Sequence, residues 1–222
     1  ACGIRTDSTV ACWGNNDYDQ SSPPDDNAFF QISAGKEHTC GLRTNNTVVC
    51  WGRSGNSWNN NPAKNIGDQI TPPDGTTFSQ ISAGGWHTCG IRVVDGQVVC
   101  WGHNGDSQAS PPEGNFSQIS AGQYYTCGIK TDKTVACWGW NEMGQAKPPN
   151  SICISRSAKK PIEVCSAPLD MTFSHVSAGK GAERGVHTCG ILTDNTVACW
   201  GYNGEGQATP PPCLRLKSSN SN

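Results

Sequence analysis

Cys40-Gly-Leu-Arg-Thr-Asn-Asn-Thr-Val-Val-Cys-Trp-Gly52 is the stretch of sequence that decides the fold, because it recurs along the chain. Each copy reads Cys-Gly-(Ile/Leu), a polar turn, and then Val-(Ala/Val)-Cys-Trp-Gly. The copies occupy residues 2–14, 40–52, 89–102, 127–139 and 189–201. A unit of roughly 37 residues cannot bury its own apolar face, so the copies must stack on one another as a solenoid or a propeller.

Each copy predicts three short antiparallel strands. In the fourth copy, residues 116–122 alternate in polarity and residues 127–131 follow them. Residues 134–138 then return after a polar turn. A Gln-x-x-Pro-Pro segment leads to the next copy, and it is predicted to be an edge or a connection because proline cannot donate to a strand ladder. The fold class is therefore all-β, a β-propeller of about five blades.

The repeat runs through nearly all of the 222 residues, so we expect a single domain. The expected blades cover residues 1–28, 29–77, 78–115, 116–172 and 173–213. The first blade lacks the Phe-x-x-(Ile/Val)-Ser-Ala-Gly strand that begins the others. We expect the C-terminal strand 214–218 to supply the missing strand and to close a five-bladed ring.

The 13 cysteines predict an oxidising compartment. The two cysteines of each copy flank one hairpin, which makes them near neighbours across two strands, as a disulfide requires. The predicted intra-blade pairs are Cys2–Cys12, Cys40–Cys50, Cys89–Cys100, Cys127–Cys137 and Cys189–Cys199. Cys153 and Cys165 are expected to pair within the insertion 150–171. Cys213 is then the odd cysteine, either a free thiol or a bond to a second chain through which the protein self-associates.

Composition excludes several classes of function. The sequence contains no run of about 18 apolar residues, so it predicts no membrane span. A net charge of −2 with scattered acids and bases gives no footprint for nucleic acid. The spacing of cysteines and histidines does not fit a metal site, and no catalytic motif indicates an enzyme or a cofactor. The chain begins at Ala1 without a methionine, which fits a secreted protein after removal of its signal peptide.

Three kinds of repeated side chain are interpreted as structural. The tryptophans of the Cys-Trp-Gly motif are expected to pack between neighbouring blades, since aromatic residues dominate core energetics. His38, His87 and His187 share one position, and a catalytic histidine would not need three equivalents. The glutamine of the Gln-x-x-Pro-Pro segment is expected to bracket the backbone by hydrogen bonds.

The copies at residues 81–91 and 98–102 resemble the repeats of the regulator of chromosome condensation superfamily. The resemblance implies a β-propeller, and a secreted β-lactamase inhibitor protein shares that class. The chain is most similar to the secreted, cysteine-paired type, such as the extracellular repeats of crinkly-type plant receptor kinases. Family members usually carry about seven blades, whereas this sequence has five copies.

The differences between copies are expected to cluster at one end of the propeller, the top face. This face carries the loops before the histidine position and after Trp-Gly, together with two insertions at 54–68 and 180–186. Exposed aromatic residues on loops of a rigid scaffold suit partner recognition. The predicted partner-binding residues are Glu37, Trp58, Trp86, Tyr124, Trp140 and Tyr202. Asn45 and Asn115 are predicted glycosylation sites that lie away from this face.

Three functions remain open at this point. The first is an extracellular recognition or assembly module that binds a protein or a glycan without catalysis. The second is a secreted enzyme inhibitor that plugs an active site with its aromatic loops. The third is a structural subunit of an extracellular coat, wall or filament. The variable top loops favour one asymmetric protein partner over five identical sugar sites.

Overall fold

The computed structural model describes residues 1–25, 28–55, 68–149, 171–181 and 186–209, together with the backbone of 152–155 and 163–166. The described chain consists of strands joined by turns, arranged in five antiparallel sheets that form the blades of a β-propeller. The predicted all-β propeller of about five blades is confirmed. Within these residues no helix has the length and apolar character needed to cross a membrane.

Blades 2 to 5 each contain an inner, a middle and an outer strand, whereas the described residues of blade 1 form a middle and an outer strand. Blade 1 comprises β1 (Cys2–Ile4) and β2 (Val10–Cys12). Blade 2 comprises β3 (Phe29–Ala34), β4 (His38–Arg43) and β5 (Val48–Gly52). Blade 3 comprises β6 (Phe78–Ala83), β7 (His87–Arg92) and β8 (Val98–Gly102).

The insertion adds two strands to the outer edge of blade 4. Blade 4 comprises β9 (Phe116–Ala121), β10 (Tyr125–Lys130) and β11 (Val135–Gly139), followed by β12 (Ile152–Ser155) and β13 (Glu163–Ser166). Blade 5 comprises β14 (Phe173–Ala178), β15 (His187–Leu192) and β16 (Val197–Gly201). The backbone of Cys153 lies opposite Cys165, the register that their predicted disulfide needs.

Polar turns connect the middle and outer strands. In blade 4 the Asp132 carboxylate accepts hydrogen bonds from the backbone N–H of Thr134 at 2.9 Å and from its hydroxyl at 2.7 Å. Lys133 between them adopts a left-handed conformation with φ 72°. The same conformation recurs at Ser8, Asn46 and Asn195 in the matching turns. These turns fix the register of the hairpins, because a left-handed residue after a type I turn matches the twist of the strands.

The register of each hairpin sets the cysteine pairs directly opposite each other. Five intra-blade disulfides are present, Cys2–Cys12, Cys40–Cys50, Cys89–Cys100, Cys127–Cys137 and Cys189–Cys199. Their Cα atoms are 4.0 to 4.1 Å apart. The predicted intra-blade pairing is confirmed for all five copies.

Tryptophan packs between neighbouring blades, as predicted. Trp138 of blade 4 is fully buried and lies in one cluster with Cys89 and Ile91 of blade 3. Its ring also meets Phe116 of its own inner strand, with centroids 5.9 Å apart. Trp51, Trp101 and Trp200 pair with the inner-strand phenylalanine in the same way. The core is therefore a series of aromatic interfaces between blades.

The described sheets do not form a closed ring. Trp13 of blade 1 is 59% exposed, although it occupies the same motif position as the buried Trp138. The predicted closing strand, residues 214–218, lies outside the described residues, and so does Cys213.

Candidate partner-binding face

In blades 2 to 5, two loops of each blade meet at the top face. One loop follows the inner strand and the other follows the Trp-Gly of the outer strand, and a backbone hydrogen bond joins them. These bonds run from Arg53 N to Glu37 O, from His103 N to Trp86 O, from Trp140 N to Tyr124 O and from Tyr202 N to Val186 O, at 2.7 to 3.0 Å. The strand framework therefore fixes which variable residues become neighbours on this face.

Arg53 is the centre of a cluster contributed by three blades. Its guanidinium lies 4.5 Å from the ring centroid of Tyr18 and 5.6 Å from that of Trp86. It also forms an ion pair with Glu37 at 2.6 Å. Lys36 lies 5.0 Å from the Trp86 ring centroid. Cations within about 6 Å of an aromatic face are attracted by the ring quadrupole, so these contacts hold the loops of blades 1 to 3 together.

Trp86 is buried, contrary to its predicted exposure. It is only 8% exposed, and both Lys36 and Arg53 lie over its ring. Tyr18, in contrast, is 39% exposed at the edge of the cluster. The surface available to a partner here consists of charged groups held on aromatic rings.

A cleft of about 440 Å³ opens beside this cluster, between blades 1 and 2. Asn15, Asp17, Tyr18, Lys36 and Glu37 contribute to its lining. The lining combines one aromatic ring with hydrogen-bond donors and acceptors of both charges. A concave site with a few convergent polar groups is typical of a binding site.

A second aromatic group lies on blades 4 and 5. The rings of Tyr124 and Trp140 meet edge to face with centroids 6.3 Å apart. Trp140 and Tyr202 also pack, partly buried, against the core shared by blades 4 and 5. Of the predicted binding residues, Glu37 and Trp86 thus belong to one cluster, and Tyr124 and Trp140 to another. Trp58 lies outside the described residues.

Sequence reasoning overlooked Tyr18 and Lys36 as members of this site. Each contacts a residue of a different blade, Tyr18 with Arg53 and Lys36 with Trp86. The repeat pattern does not show which top-face loops of different blades touch. Arg53 was placed on the top face by its position after Trp-Gly, but its ion pair and its ring contacts become visible only in the structure.

The repeated histidines have the predicted structural role in blades 2 and 3. His38 and His87 are buried, and their Nε2 atoms lie 2.9 and 2.8 Å from the hydroxyls of Thr88 and Thr126 in the next blade. Desolvation lowers the pKa of each histidine to about 3, so both rings are neutral at physiological pH. The described residues contain no cluster of three or more metal-ligating side chains.

Tyr125 replaces this histidine in blade 4. Its hydroxyl donates to the backbone carbonyl of His187 at 2.8 Å and accepts from Gly179 N and from the Thr188 hydroxyl, each at 2.9 Å. Burial raises the pKa of Tyr125 to about 12. The tyrosine therefore joins blades 4 and 5 in the way that histidine joins the earlier blades.

The repeated glutamine brackets the backbone, as predicted. The Gln108 carbonyl accepts hydrogen bonds from the Trp138 indole at 2.9 Å and from the Thr126 hydroxyl at 3.3 Å. Its side-chain oxygen accepts from Asp106 N at 2.9 Å. Gln20 and Gln69 make the same contacts to tryptophan and threonine.

The two sequons lie at the end opposite the top face. Asn45 and Asn115 are both exposed, and the Asn45 side-chain oxygen accepts hydrogen bonds from the backbone N–H and the hydroxyl of Thr47. Glycans at these positions would leave the top face uncovered, which stays a prediction.

Comparisons with known proteins agree with this architecture. The sequence profile of the regulator of chromosome condensation (RCC1) repeat matches residues 31–57, 78–108, 116–145 and 186–207. The crinkly ectodomain of the Arabidopsis thaliana receptor kinase ACR4 is similar over 90% of this chain and 59% of its own length, with 29% identity and a TM-score of 0.57. The ectodomain of the Physcomitrella patens receptor kinase CR4 is similar over 90% and 47%, with 27% identity and a TM-score of 0.62.

A more distant likeness concerns the fold alone. Yeast RCC1 (Prp20), solved with Kap60, is similar over 90% of this chain and 53% of its own length, with 16% identity and a TM-score of 0.65. The chain thus spans between about half and three fifths of the length of these structures. No curated protein matches the sequence.

Proposed function

Because the chain belongs to the regulator of chromosome condensation repeat family and resembles receptor ectodomains, we propose that it is an extracellular recognition module. It binds one macromolecular partner, a protein, through the top face and catalyses no reaction. Five disulfides support an oxidising, extracellular location, since such bonds persist outside the cytosol.

The observation that carries this proposal is the asymmetry of the top face. The pairs joined by the same backbone bond differ in every blade: an ion pair in blade 2, tryptophan with histidine in blade 3, tyrosine with tryptophan in blade 4 and valine with tyrosine in blade 5. A glycan-binding propeller with one site per blade would need equivalent residues in each pair. The differences therefore favour a single partner that spans several blades.

The chemistry of the blade 1 to 3 cluster supports a protein partner. Tyr, Trp and Arg dominate the binding energy of protein interfaces, and here the Arg53 guanidinium lies over the rings of both Tyr18 and Trp86. Cation–aromatic contacts restrict the side chains before binding, which lowers the entropic cost of forming an interface.

The test is to probe two arrays with the labelled chain, one of extracellular protein domains and one of glycans. Each hit is measured again with Tyr18→Ala and Trp140→Ala, which sample the two aromatic clusters. Val94→Ala is the matched control, because Val94 is 82% exposed but lies in a hairpin turn at the opposite end. We expect a protein hit that weakens at least about tenfold in one or both top-face variants and is unchanged in the control.

Hits on glycans alone, or protein binding that only Val94→Ala weakens, would contradict the proposal. A protein hit whose own catalytic activity is blocked by the chain would instead support the enzyme-inhibitor function.

A further inference from the structure

The aromatic residues Tyr124, Trp140 and Tyr202 form a rigid group at the top of blades 4 and 5. Trp140 and Tyr202 pack, partly buried, against the core that these two blades share. Backbone hydrogen bonds tie the loops that carry them, from Trp140 N to Tyr124 O at 2.9 Å and from Tyr202 N to Val186 O at 3.0 Å. The rings are therefore ordered before a partner binds, which lowers the entropic cost of an interface.

The residue two positions after each ring explains its orientation. In blade 5 this residue is Gly204, and the Tyr202 ring folds back over it, into the space that a Cβ would need. In blade 4 the equivalent residue is Glu142. Trp140 turns instead towards Tyr124, and the two rings meet at an interplanar angle of 86° with centroids 6.3 Å apart. Two rings at nearly a right angle bound a groove, whereas a stacked pair would present a flat platform.

Three hydrogen-bond donors of this group have no partner in the described part of the chain. They are the hydroxyls of Tyr124 and Tyr202 and the indole N–H of Trp140, and the indole N–H remains accessible to solvent. The tryptophan of the repeat motif behaves differently, because the Trp138 indole donates to the Gln108 carbonyl at 2.9 Å. The group therefore presents an apolar groove with donors that an acceptor from outside can satisfy.

Two carboxylates lie in the same loops as these rings. Glu142 follows Trp140 by two residues and Glu205 follows Tyr202 by three, and both side chains are exposed. Neither forms an ion pair within the described ranges. The surroundings of the aromatic group therefore attract a basic ligand and disfavour an acidic one.

A proline-rich segment matches all of these properties. A polyproline II helix has no internal hydrogen bonds, so its backbone carbonyls accept bonds from outside. Proline offers a carbonyl but no N–H, and an indole N–H can only donate. Proline-rich segments dock into aromatic-lined grooves, and little entropy is lost because the helix is already formed. A basic residue beside the prolines would complement the two carboxylates.

We propose that Tyr124, Trp140 and Tyr202 bind a proline-rich segment of the partner that carries a lysine or an arginine next to its prolines. This assignment rests on the proposed function and names the part of the partner that blades 4 and 5 recognise. The prolines lie in the groove between the rings of Tyr124 and Trp140, and the three donors bond to carbonyls of the segment. Its basic residue pairs with the carboxylates of Glu142 and Glu205.

The experiment probes the full chain with an array of short synthetic peptides that contain Pro-x-x-Pro and a lysine or an arginine at one end. Copies with alanine in place of every proline serve as control peptides. Fluorescence anisotropy then gives the Kd of each hit. We expect hits whose alanine copies bind at least about tenfold more weakly, because they lose the preformed helix and the ring contacts.

Conservative variants locate the site. Tyr124→Phe and Tyr202→Phe each remove one hydroxyl and keep the ring, so each should weaken the hits by about fivefold. Glu142→Gln should weaken hits with a basic residue by about twofold to fivefold. Its matched control is Glu113→Gln, which changes an exposed carboxylate two residues before Asn115, at the opposite end, and should leave the Kd unchanged.

Absence of proline-dependent hits, or hits whose Kd all three variants leave unchanged, would overturn the proposal. Glycan binding that Tyr124→Phe or Tyr202→Phe weakens would also overturn it, because the rings would then serve a sugar. If the labelled chain captures a protein domain through the top face while no proline-rich peptide binds, the recognition function holds and the proline-rich ligand is wrong. Failure of both results would remove the proposed function as well.

Discussion

Trp138, at the interface between blades 3 and 4, and Trp13 of blade 1 occupy the same position of the repeat motif, but they lie in opposite environments. In the interface, Trp138 lies between Phe116 and the apolar side chains of blade 3, and its indole donates to the Gln108 carbonyl at 2.9 Å. In blade 1, Trp13 has the same Cys-Trp-Gly context and a disulfide at the same place, yet it is 59% exposed.

The difference shows that a repeat residue contributes to stability through its neighbours. Blade 1 has its own hairpin and its own disulfide. Among the described residues, no second surface packs against its tryptophan and glycine as it does in blade 4. In a linear array of repeats, stability is approximately a sum of repeat terms and nearest-neighbour interface terms. The comparison of Trp13 with Trp138 separates the repeat term from the interface term.

The largest expected effect comes from truncating the two tryptophans. Trp138→Ala should lower the free energy of unfolding by about 3–5 kcal/mol, because it removes a fully buried aromatic ring and leaves a cavity. Trp13→Ala should change it by less than about 1 kcal/mol, since most of the ring is already in water. Urea unfolding of both variants, followed by circular dichroism, measures the difference.

Similar losses for the two variants would mean that Trp13 is buried in solution, and the contrast between blade 1 and the interface would fail.

The glycine of the Cys-Gly motif offers a matched pair with a smaller effect. Gly128→Ala should destabilise by about 1–3 kcal/mol, because the new methyl group would lie 2.6 Å from the Phe116 ring and force repacking. Gly3→Ala should be neutral within about 1 kcal/mol, since its nearest ring atom is 3.7 Å away. Thermal unfolding of both variants tests this pair. Destabilisation by Gly3→Ala equal to that of Gly128→Ala would mean that Gly3 is as closely packed in solution as Gly128.

Features that repeat in every copy could be predicted from the sequence. The hairpins, the five disulfides and the inter-blade packing of Trp138 each follow from a residue type that returns at one position. Recurrence separates a structural role from chance, which is also why His38, His87 and the bracketing glutamines were correctly assigned.

The top-face cluster could be predicted only in part. Position after Trp-Gly placed Arg53 on the correct face, but its contacts with Tyr18 and Trp86 join three blades. Such contacts depend on the rotation between successive blades, which no single repeat encodes. For the same reason the sequence indicated Trp86 as an exposed aromatic residue, whereas it is 8% exposed, with Lys36 and Arg53 over its ring.

The interface between blades 3 and 4 should lose stability in acid, because it buries His87 as a neutral ring. Burial lowers the pKa of His87 to about 3 in the folded state, against an ordinary value of 6.5, with smaller contributions from His38, His103 and Lys180. The unfolded chain binds a proton below pH 6.5 that the folded chain excludes, so stability falls as the pH drops from 6.5 towards 3. This histidine should contribute a slope of roughly 1 kcal/mol per pH unit.

His87→Gln retains a side-chain donor for Thr126 but cannot titrate. The unfolding free energy of this variant should therefore decline less steeply between pH 6 and pH 4 than that of the unmodified chain, by about the slope of one histidine. Parallel pH profiles from urea titrations would show that the interface does not exclude the proton.

The smallest effects should arise in the hairpin turns, where blade 1 and blade 4 become equivalent. Asp7 and Asp132 each accept hydrogen bonds from the threonine two residues later, and these bonds lower the pKa of both carboxyls. Asn45 makes the same two bonds with an amide oxygen. Asp132→Asn should therefore change stability at pH 7 by less than about 0.5 kcal/mol.

Because a lowered carboxyl pKa contributes stability that is lost as the pH falls through the folded value, both asparagine variants should lose a little less stability in acid. Asp7→Asn and Asp132→Asn should then give the same shift in urea midpoint at every pH, since each turn is closed by its own residues. A larger shift in blade 4 would mean that even the turns depend on the neighbouring blade.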